Sequence, residues 1–101
     1  HVLGERLITH RGGCHSMEGR AVIAAIDVIT DNLTVWTSTQ APHMIRRLVA
    51  AHLGRDERAV RVIAPDVGGG FGPKCAMYPE EVAIPLAAQA LGRPVKWIED
   101  R

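Results

Sequence analysis

Cysteine is scarce in this chain: Cys14 and Cys75 are the two it has, far apart and without a CxxC pair. That argues against a disulfide framework. With no secretory apolar segment near the start, it favours a reducing, cytoplasmic setting. Long apolar runs are missing too, and none approaches the roughly 20 residues needed to span a bilayer. Neither sign of charge dominates. The 12 basic and 11 acidic side chains give a net charge of +1, with the basic ones spread along the chain rather than blocked. Nothing in that balance suggests a nucleic-acid or anionic-membrane surface. Aromatics make up 4% of the residues, and Phe71 is the single phenylalanine. There is no internal repeat and no low-complexity tract.

What remains is 101 residues, 47% of them apolar, enough for a modest core. The start at His1 without a methionine, and the end at Arg101 directly after the strand-like "VKWIEDR", read as a piece cut from a longer polypeptide.

Glu5 to Arg11 is expected as a short strand before the Gly12-Gly13 break. Ala21 to Ile29 and Leu33 to Thr39, separated by the polar turn Thr30-Asp31-Asn32, read as a β-hairpin. After Pro42 the apolar residues Met44, Ile45, Leu48, Val49 and Leu53 recur at helical spacing, with Arg46, Arg47 and Ala50 mostly off that stripe and Gly54 as the stop. Val60 to Ala64 is a further strand. A second helix begins near Pro79, with Glu80 and Glu81 at its positive end and Gly92 and Pro94 after it. Pro85 falls inside that helix and is expected to kink it. Val95 to Ile98 is the last strand. The order β-β-β-α-β-α-β predicts an α+β fold with a mixed sheet and two helices.

The stretch "VRVIAPDVGGGFGPK" at Val60 to Lys74 places glycine at 68, 69, 70 and 72 around Phe71. Glycine is costly in backbone entropy and is expected where φ is positive or where backbone must come close to something else. Two nucleotide patterns fail here. Counting from Gly68, a dinucleotide fingerprint would need glycine at Pro73. A Walker loop would need serine or threonine at Cys75. Successive N–H groups in such a turn can still cradle an anion or an oxo group.

"GGGFGPK", preceded by "VRVIAPDV" and by "TSTQAPHMIRRLVAAHLG" at Thr37 to Gly54, resembles the molybdenum-binding large subunit of the xanthine dehydrogenase, aldehyde oxidase and carbon monoxide dehydrogenase family. "HSMEGR" at His15 to Arg20 resembles that family's Met-Glu-x-Arg turn, and "GRPVKWIEDR" at Gly92 to Arg101 resembles the strand after its second helix. The blocks occur in order and cover nearly the whole chain. The segments "APHMIRR" and "PVKWIEDR" are most similar to the carbon monoxide dehydrogenase-like branch.

The resemblance implies that residues 1–101 are the first portion of a larger molybdenum-cofactor-binding domain. The implied cofactor is molybdopterin with molybdenum, in the cytosine dinucleotide form. The implied reaction is an oxidative hydroxylation or related oxidation of a small molecule. Iron–sulfur centres and FAD would lie on other domains or subunits of an oligomeric complex. Gln40 would hydrogen-bond an oxo ligand of the metal, since a neutral amide donates without adding an anionic ligand. Gly69, Gly70, Phe71 and Gly72 would lie against the cofactor. No catalytic residue is assigned, because the family's general base belongs to a distant C-terminal segment. Purine-oxidising members carry glutamate directly after the loop lysine. This chain has Cys75, which puts a xanthine-type substrate in doubt.

Each residue also has an ordinary reading. Gln40 suits a cap for the helix at Pro42, Phe71 a core anchor, and Lys74 a solvated lysine. Cys75 suits a buried small hydrophobe. Glu18 and Arg20 suit an ion pair or turn brace. The pairs Glu80-Glu81 and Glu99-Asp100 suit helix charge and a solvated strand end. His10, Cys14 and His15 lack a fourth ligand for a tetrahedral metal site. A functional alternative is a non-catalytic binding or assembly module that uses the glycine loop.

Overall fold

The computed structural model describes residues 1–8 and 12–100. The hairpin is present as β1 (Ala21–Asp27) and β2 (Asn32–Thr37), antiparallel with Ile23 opposite Trp36 and Ala25 opposite Thr34. β1 stops two residues before its apolar run does. The Asp27 Oδ1 accepts from the N–H of Ile29 at 2.9 Å and of Thr30 at 3.3 Å, which curls the chain and leaves Val28 and Ile29 exposed. Asp31 then turns through a left-handed φ of 58°. β2 ends at Thr37, after which Ser38 Oγ accepts from the Ala21 N–H at 3.0 Å and the Ser38 N–H donates to the Ala21 carbonyl at 3.2 Å.

α1 (Pro42–Leu53) opens with proline in its first turn, where a missing N–H costs nothing. It ends on Gly54 at φ 64°, with the Gly54 N–H donating to Ala51 and the Arg55 N–H to Ala50, the paired bonds of a Schellman stop. Ile45, Val49 and Ala50 are its buried residues, so Ala50 belongs to the core stripe rather than off it. The crossover helix allows β3 (Val60–Ile63) to run parallel to β2. α2 (Glu80–Leu91) follows the glycine loop, and β4 (Val95–Ile98) pairs antiparallel with β1.

The sheet order is β3-β2-β1-β4, a mixed sheet with two helices, the α+β arrangement expected. Strand alternation puts Val22, Ala24, Leu33, Val35 and Val60 under the helices, against Ile45, Val49, Ala50 and Ala88. A first strand was expected at Glu5 to Arg11. Glu5 to Ile8 carry no strand, and Thr9 to Arg11 lie outside the described residues. The described fold is therefore β-β-α-β-α-β. α2 is continuous through Pro85, whose side chain is fully buried. The ring fills core space where the bond to the Glu81 carbonyl would otherwise be made. Among the described residues no helix is long and apolar enough to cross a membrane.

Because a Cβ at Gly54 would meet nothing within 4 Å, its conformation alone sets the cost of replacement. Gly54→Ala is expected to destabilise the chain by about 1 kcal/mol, and Gly54→Asn by less. Urea unfolding of the two variants measures the difference.

Candidate functional site

The glycine loop leaves the carboxyl end of β3 and bends back through left-handed conformations at Gly69 (φ 94°), Phe71 (φ 53°) and Gly72 (φ 95°). Phe71 has a Cβ, so this shape costs about 1–2 kcal/mol at that residue. Its side chain is not a core anchor, since the residue is 67% exposed. The glycines before it each make room for a different side chain. A Cβ on Gly68 would sit 2.7 Å from Glu18 Cβ, and one on Gly69 would sit 2.8 Å from the Phe71 ring and 3.2 Å from Ser16 Cβ. One on Gly70 would overlap the Gln40 carboxamide. The loop is glycine-rich because three side chains occupy the space its own would need.

Gln40 stands where β2 hands over to α1. Its main-chain N–H donates to the Lys74 carbonyl at 2.9 Å, and its Oε1 accepts from the Gly72 N–H at 3.0 Å. It caps nothing: the residue entering α1 is Ala41, without a side-chain cap, and the Ala41 N–H goes to Thr39 Oγ1 at 3.1 Å. The backbone donor at Gly72 fixes which end of the amide is oxygen. The Nε2 donors have no partner among the described residues, and Gln40 is exposed. The structure thus brings Gln40 together with Gly70, Phe71 and Gly72 on one surface.

Lys74 is not solvated. Its side chain is 2% exposed, and its Nζ donates to Glu18 Oε2 at 2.6 Å. The same oxygen accepts from the Gly68 N–H at 2.9 Å, while the Glu18 N–H donates to the Gly68 carbonyl at 3.3 Å. The hydrogen bond from Lys74 holds the Glu18 carboxyl below its ordinary value, against a smaller opposing effect of burial.

Glu18 therefore does not pair with Arg20, which has its own set of partners. The Arg20 Nε and Nη2 donate to Glu99 Oε1 at 3.1 and 2.8 Å, its main-chain N–H donates to Glu99 Oε2 at 2.8 Å, and Nη1 lies 3.0 Å from Glu80 Oε1. The guanidinium also stacks on Tyr78, 3.8 Å from the ring centre. Glu80, in the first turn of α2 as expected, is thus also an arginine partner, and Glu99 is an arginine partner rather than a solvated strand end. Glu81 is buried, accepting from Thr37 Oγ1 at 2.8 Å and from the Tyr78 N–H at 2.9 Å, and burial pushes its carboxyl above the ordinary value.

Cys75 is exposed, as is Cys14, and both are free thiols. The 3₁₀ turn Pro73–Cys75, closed by the Cys75 N–H to the Gly72 carbonyl at 2.9 Å, buries Lys74 and turns the next residue outward. Among the described residues no three His, Cys, Asp or Glu side chains converge as a metal site, and His10 lies outside them. A cleft of about 520 Å³ lies beside Glu18, Arg20, Lys74, Tyr78 and Glu99, but Gln40 and Gly69 to Gly72 do not line it. On its wall Glu18 is paired with Lys74, Arg20 with Glu99 and the Tyr78 hydroxyl with the Pro73 carbonyl, whereas the loop surface presents an unengaged amide, bare backbone and an exposed ring. Sequence reasoning missed the Glu18–Lys74 pair and the Arg20 cluster. The one available signal was that Glu18, Arg20 and Lys74 each sit inside a quoted motif.

The loop surface therefore combines exposed amide donors, side-chain-free backbone and an aromatic face. The profile of the molybdopterin cofactor-binding domain matches residues 1–101. The large subunit of nicotine 6-hydroxylase from Paenarthrobacter nicotinovorans is 43% identical over 101 residues, covering 100% of this chain and 12% of that protein. The carbon monoxide dehydrogenase large chain of Hydrogenophaga pseudoflava is 45% identical over 85 residues, 84% of this chain and 11% of that one. The crystal structure of quinoline 2-oxidoreductase from Pseudomonas putida 86 superposes with a TM-score of 0.82 at 46% identity, covering 84% of this chain and 11% of that one. The chain belongs to the molybdopterin cofactor-binding domain family. It spans only 12% and 11% of the length of the two relatives.

Two outcomes follow from the geometry. Gly70→Ala must push the Gln40 carboxamide off the Gly72 N–H, and is expected to cost about 1–3 kcal/mol in urea unfolding; a neutral result would show that Gln40 is not wedged against the loop. The second concerns pH. Glu18 has a folded value below the ordinary 4.5, so its contribution is full above 4.5 and is lost as pH falls through the lower folded value. Glu81 has the opposite sign, its contribution being present below 4.5 and lost as pH rises through its raised value. Urea midpoints across pH 3 to 7 should accordingly fall less steeply on the acid side for Glu18→Gln than for the parent chain.

Proposed function

We propose that the chain is the first portion of the molybdenum-cofactor-binding domain in the large subunit of a molybdenum-dependent oxidoreductase, a hydroxylase or carbon monoxide dehydrogenase-like enzyme. The observation that carries this reading is the Gln40 amide. Its oxygen is anchored on the Gly72 N–H, its nitrogen is unengaged, and it lies against Gly70, where no side chain fits. Such a surface suits an acceptor-rich metal group that needs neutral donors and close backbone.

When bound, the molybdenum group supplies Lewis acidity and a two-electron redox centre. The residues of this chain bind and orient. Gln40 Nε2 would donate to the group, Gly69 and Gly70 would let it approach the backbone, and the Gly72 N–H keeps Gln40 in place. The Phe71 ring offers a flat apolar face to the pterin. Glu18 is engaged by Lys74 and Glu99 by Arg20, so neither is offered here for proton transfer to substrate. The cofactor is the molybdopterin cytosine dinucleotide, and iron–sulfur and flavin subunits of an oligomeric cytoplasmic complex carry the electrons away. Cys75, exposed at the end of the loop, stands where a carboxylate would bind a purine, which points the reaction to a different small molecule.

Gln40→Ala in the full-length subunit is the direct test. Turnover should fall by about 100-fold with molybdenum and pterin content retained, in the range seen when a single preorganised donor is removed. Unchanged turnover would remove Gln40 from the site, and a parent enzyme without molybdopterin would overturn the reading altogether.

A further inference from the structure

We propose that the Glu18–Lys74 ion pair is a clamp that positions the glycine loop, and that retention of the cofactor depends on it although neither residue is placed on the cofactor. The inference rests on the functional reading above for the identity of the ligand, but its structural half does not.

The loop Gly68–Lys74 turns through positive φ at Gly69, Phe71 and Gly72, and at Phe71, which has a Cβ, that shape is unfavourable. A backbone like this persists only where its surroundings over-determine it. Its middle is attached by the Gly72 N–H to Gln40 Oε1 at 3.0 Å and by the Tyr78 hydroxyl to the Pro73 carbonyl at 2.7 Å, and its two ends meet at Glu18. One carboxylate oxygen, Glu18 Oε2, accepts from the first residue of the loop through the Gly68 N–H at 2.9 Å and from the last through Lys74 Nζ at 2.6 Å. The Lys74 carbonyl, in turn, accepts from the Gln40 N–H at 2.9 Å and from Thr39 Oγ1 at 3.2 Å. Glu18 is thus coupled to Gln40 through the main chain of a single buried lysine.

Neutralising Glu18 leaves a buried ammonium without its counter-charge, and the favourable response is for Lys74 to move toward water. That motion carries the Lys74 carbonyl away from the Gln40 N–H and frees Gly68 at the other end. Phe71 can then relax to negative φ. The surface made of the Gln40 amide, the Gly69 and Gly70 backbone and the Phe71 ring is lost as a unit. The core contacts of the sheet do not involve Glu18 or Lys74 side chains, so a clamp and a general stabiliser differ in where they loosen the protein.

The experiment is Glu18→Gln in the full-length subunit, read by hydrogen exchange and by molybdenum and pterin content. Amides of residues 65–77 should exchange about tenfold faster while those of residues 21–37 keep their protection, and cofactor content should drop by about half or more. Exchange that is unchanged in the loop, or that rises equally in both segments, overturns the clamp. A loosened loop with undiminished cofactor overturns its link to retention. If Glu18→Gln does not fold, Glu18→Asp, which keeps the charge but is too short to reach both Gly68 and Lys74, is judged by the same two readouts. A parent subunit without molybdopterin would refute the functional reading, while the exchange pattern would still decide whether the clamp exists.

Discussion

The buried Lys74 ammonium, 2.6 Å from Glu18, is the constraint around which the functional end of this chain is arranged. A desolvated cation has to be paired, and a pairing this short fixes both partners. Lys74 is the last residue of the glycine loop, and Glu18 belongs to the turn that feeds β1. Their contact therefore sets the loop against the start of the sheet. The Lys74 main chain extends the same constraint to Thr39 and Gln40 at the end of β2. Segments far apart in sequence meet at one side chain, and the candidate site forms where they meet.

A second set of charges fixes the frame behind it. Arg20 reaches Glu99 after β4 and Glu80 at the start of α2, and stacks on Tyr78 between the loop and that helix. Glu81 closes the helix entrance by accepting from the Tyr78 N–H and tethers it to Thr37 on β2. These groups are partly or fully withdrawn from water, so breaking a pair leaves a charge or donor stranded, which costs more than making the pair gains. The consequence is geometric specificity: the two ends of the loop are held by side chains whose alternatives are poor.

Within that frame the loop exposes an amide donor, bare backbone and one aromatic ring. Glycines at 68, 69 and 70 give way to Glu18, Phe71 and Gln40, and the strained φ of Phe71 turns its ring outward. The chain belongs to the molybdopterin cofactor-binding domain family, and the proposed function assigns this surface to the cofactor. Donors and bare backbone come from this chain, while the redox chemistry belongs to the group they would hold.

The features legible in the sequence were those with local causes. The hairpin, the stop of α1 at Gly54 and the edge strand at Val95 follow from alternation, turn residues and a left-handed glycine, all of which act within a few residues. Gln40 and Phe71 were legible through motif resemblance. The end of β1 at Asp27 was missed because a single carboxylate turned the chain against its apolar pattern. The burial of Lys74 and Glu81 and the exposure of Cys75 were missed because residue type sets only an average preference, and the neighbours decide. Lys74 and Glu18 are 56 residues apart. By itself the sequence determined the hairpin, the two helices and the two later strands in their order. Only the tertiary structure decided which charges pair and which way each side chain faces, because desolvation and pairing are properties of the packed chain rather than of any segment within it.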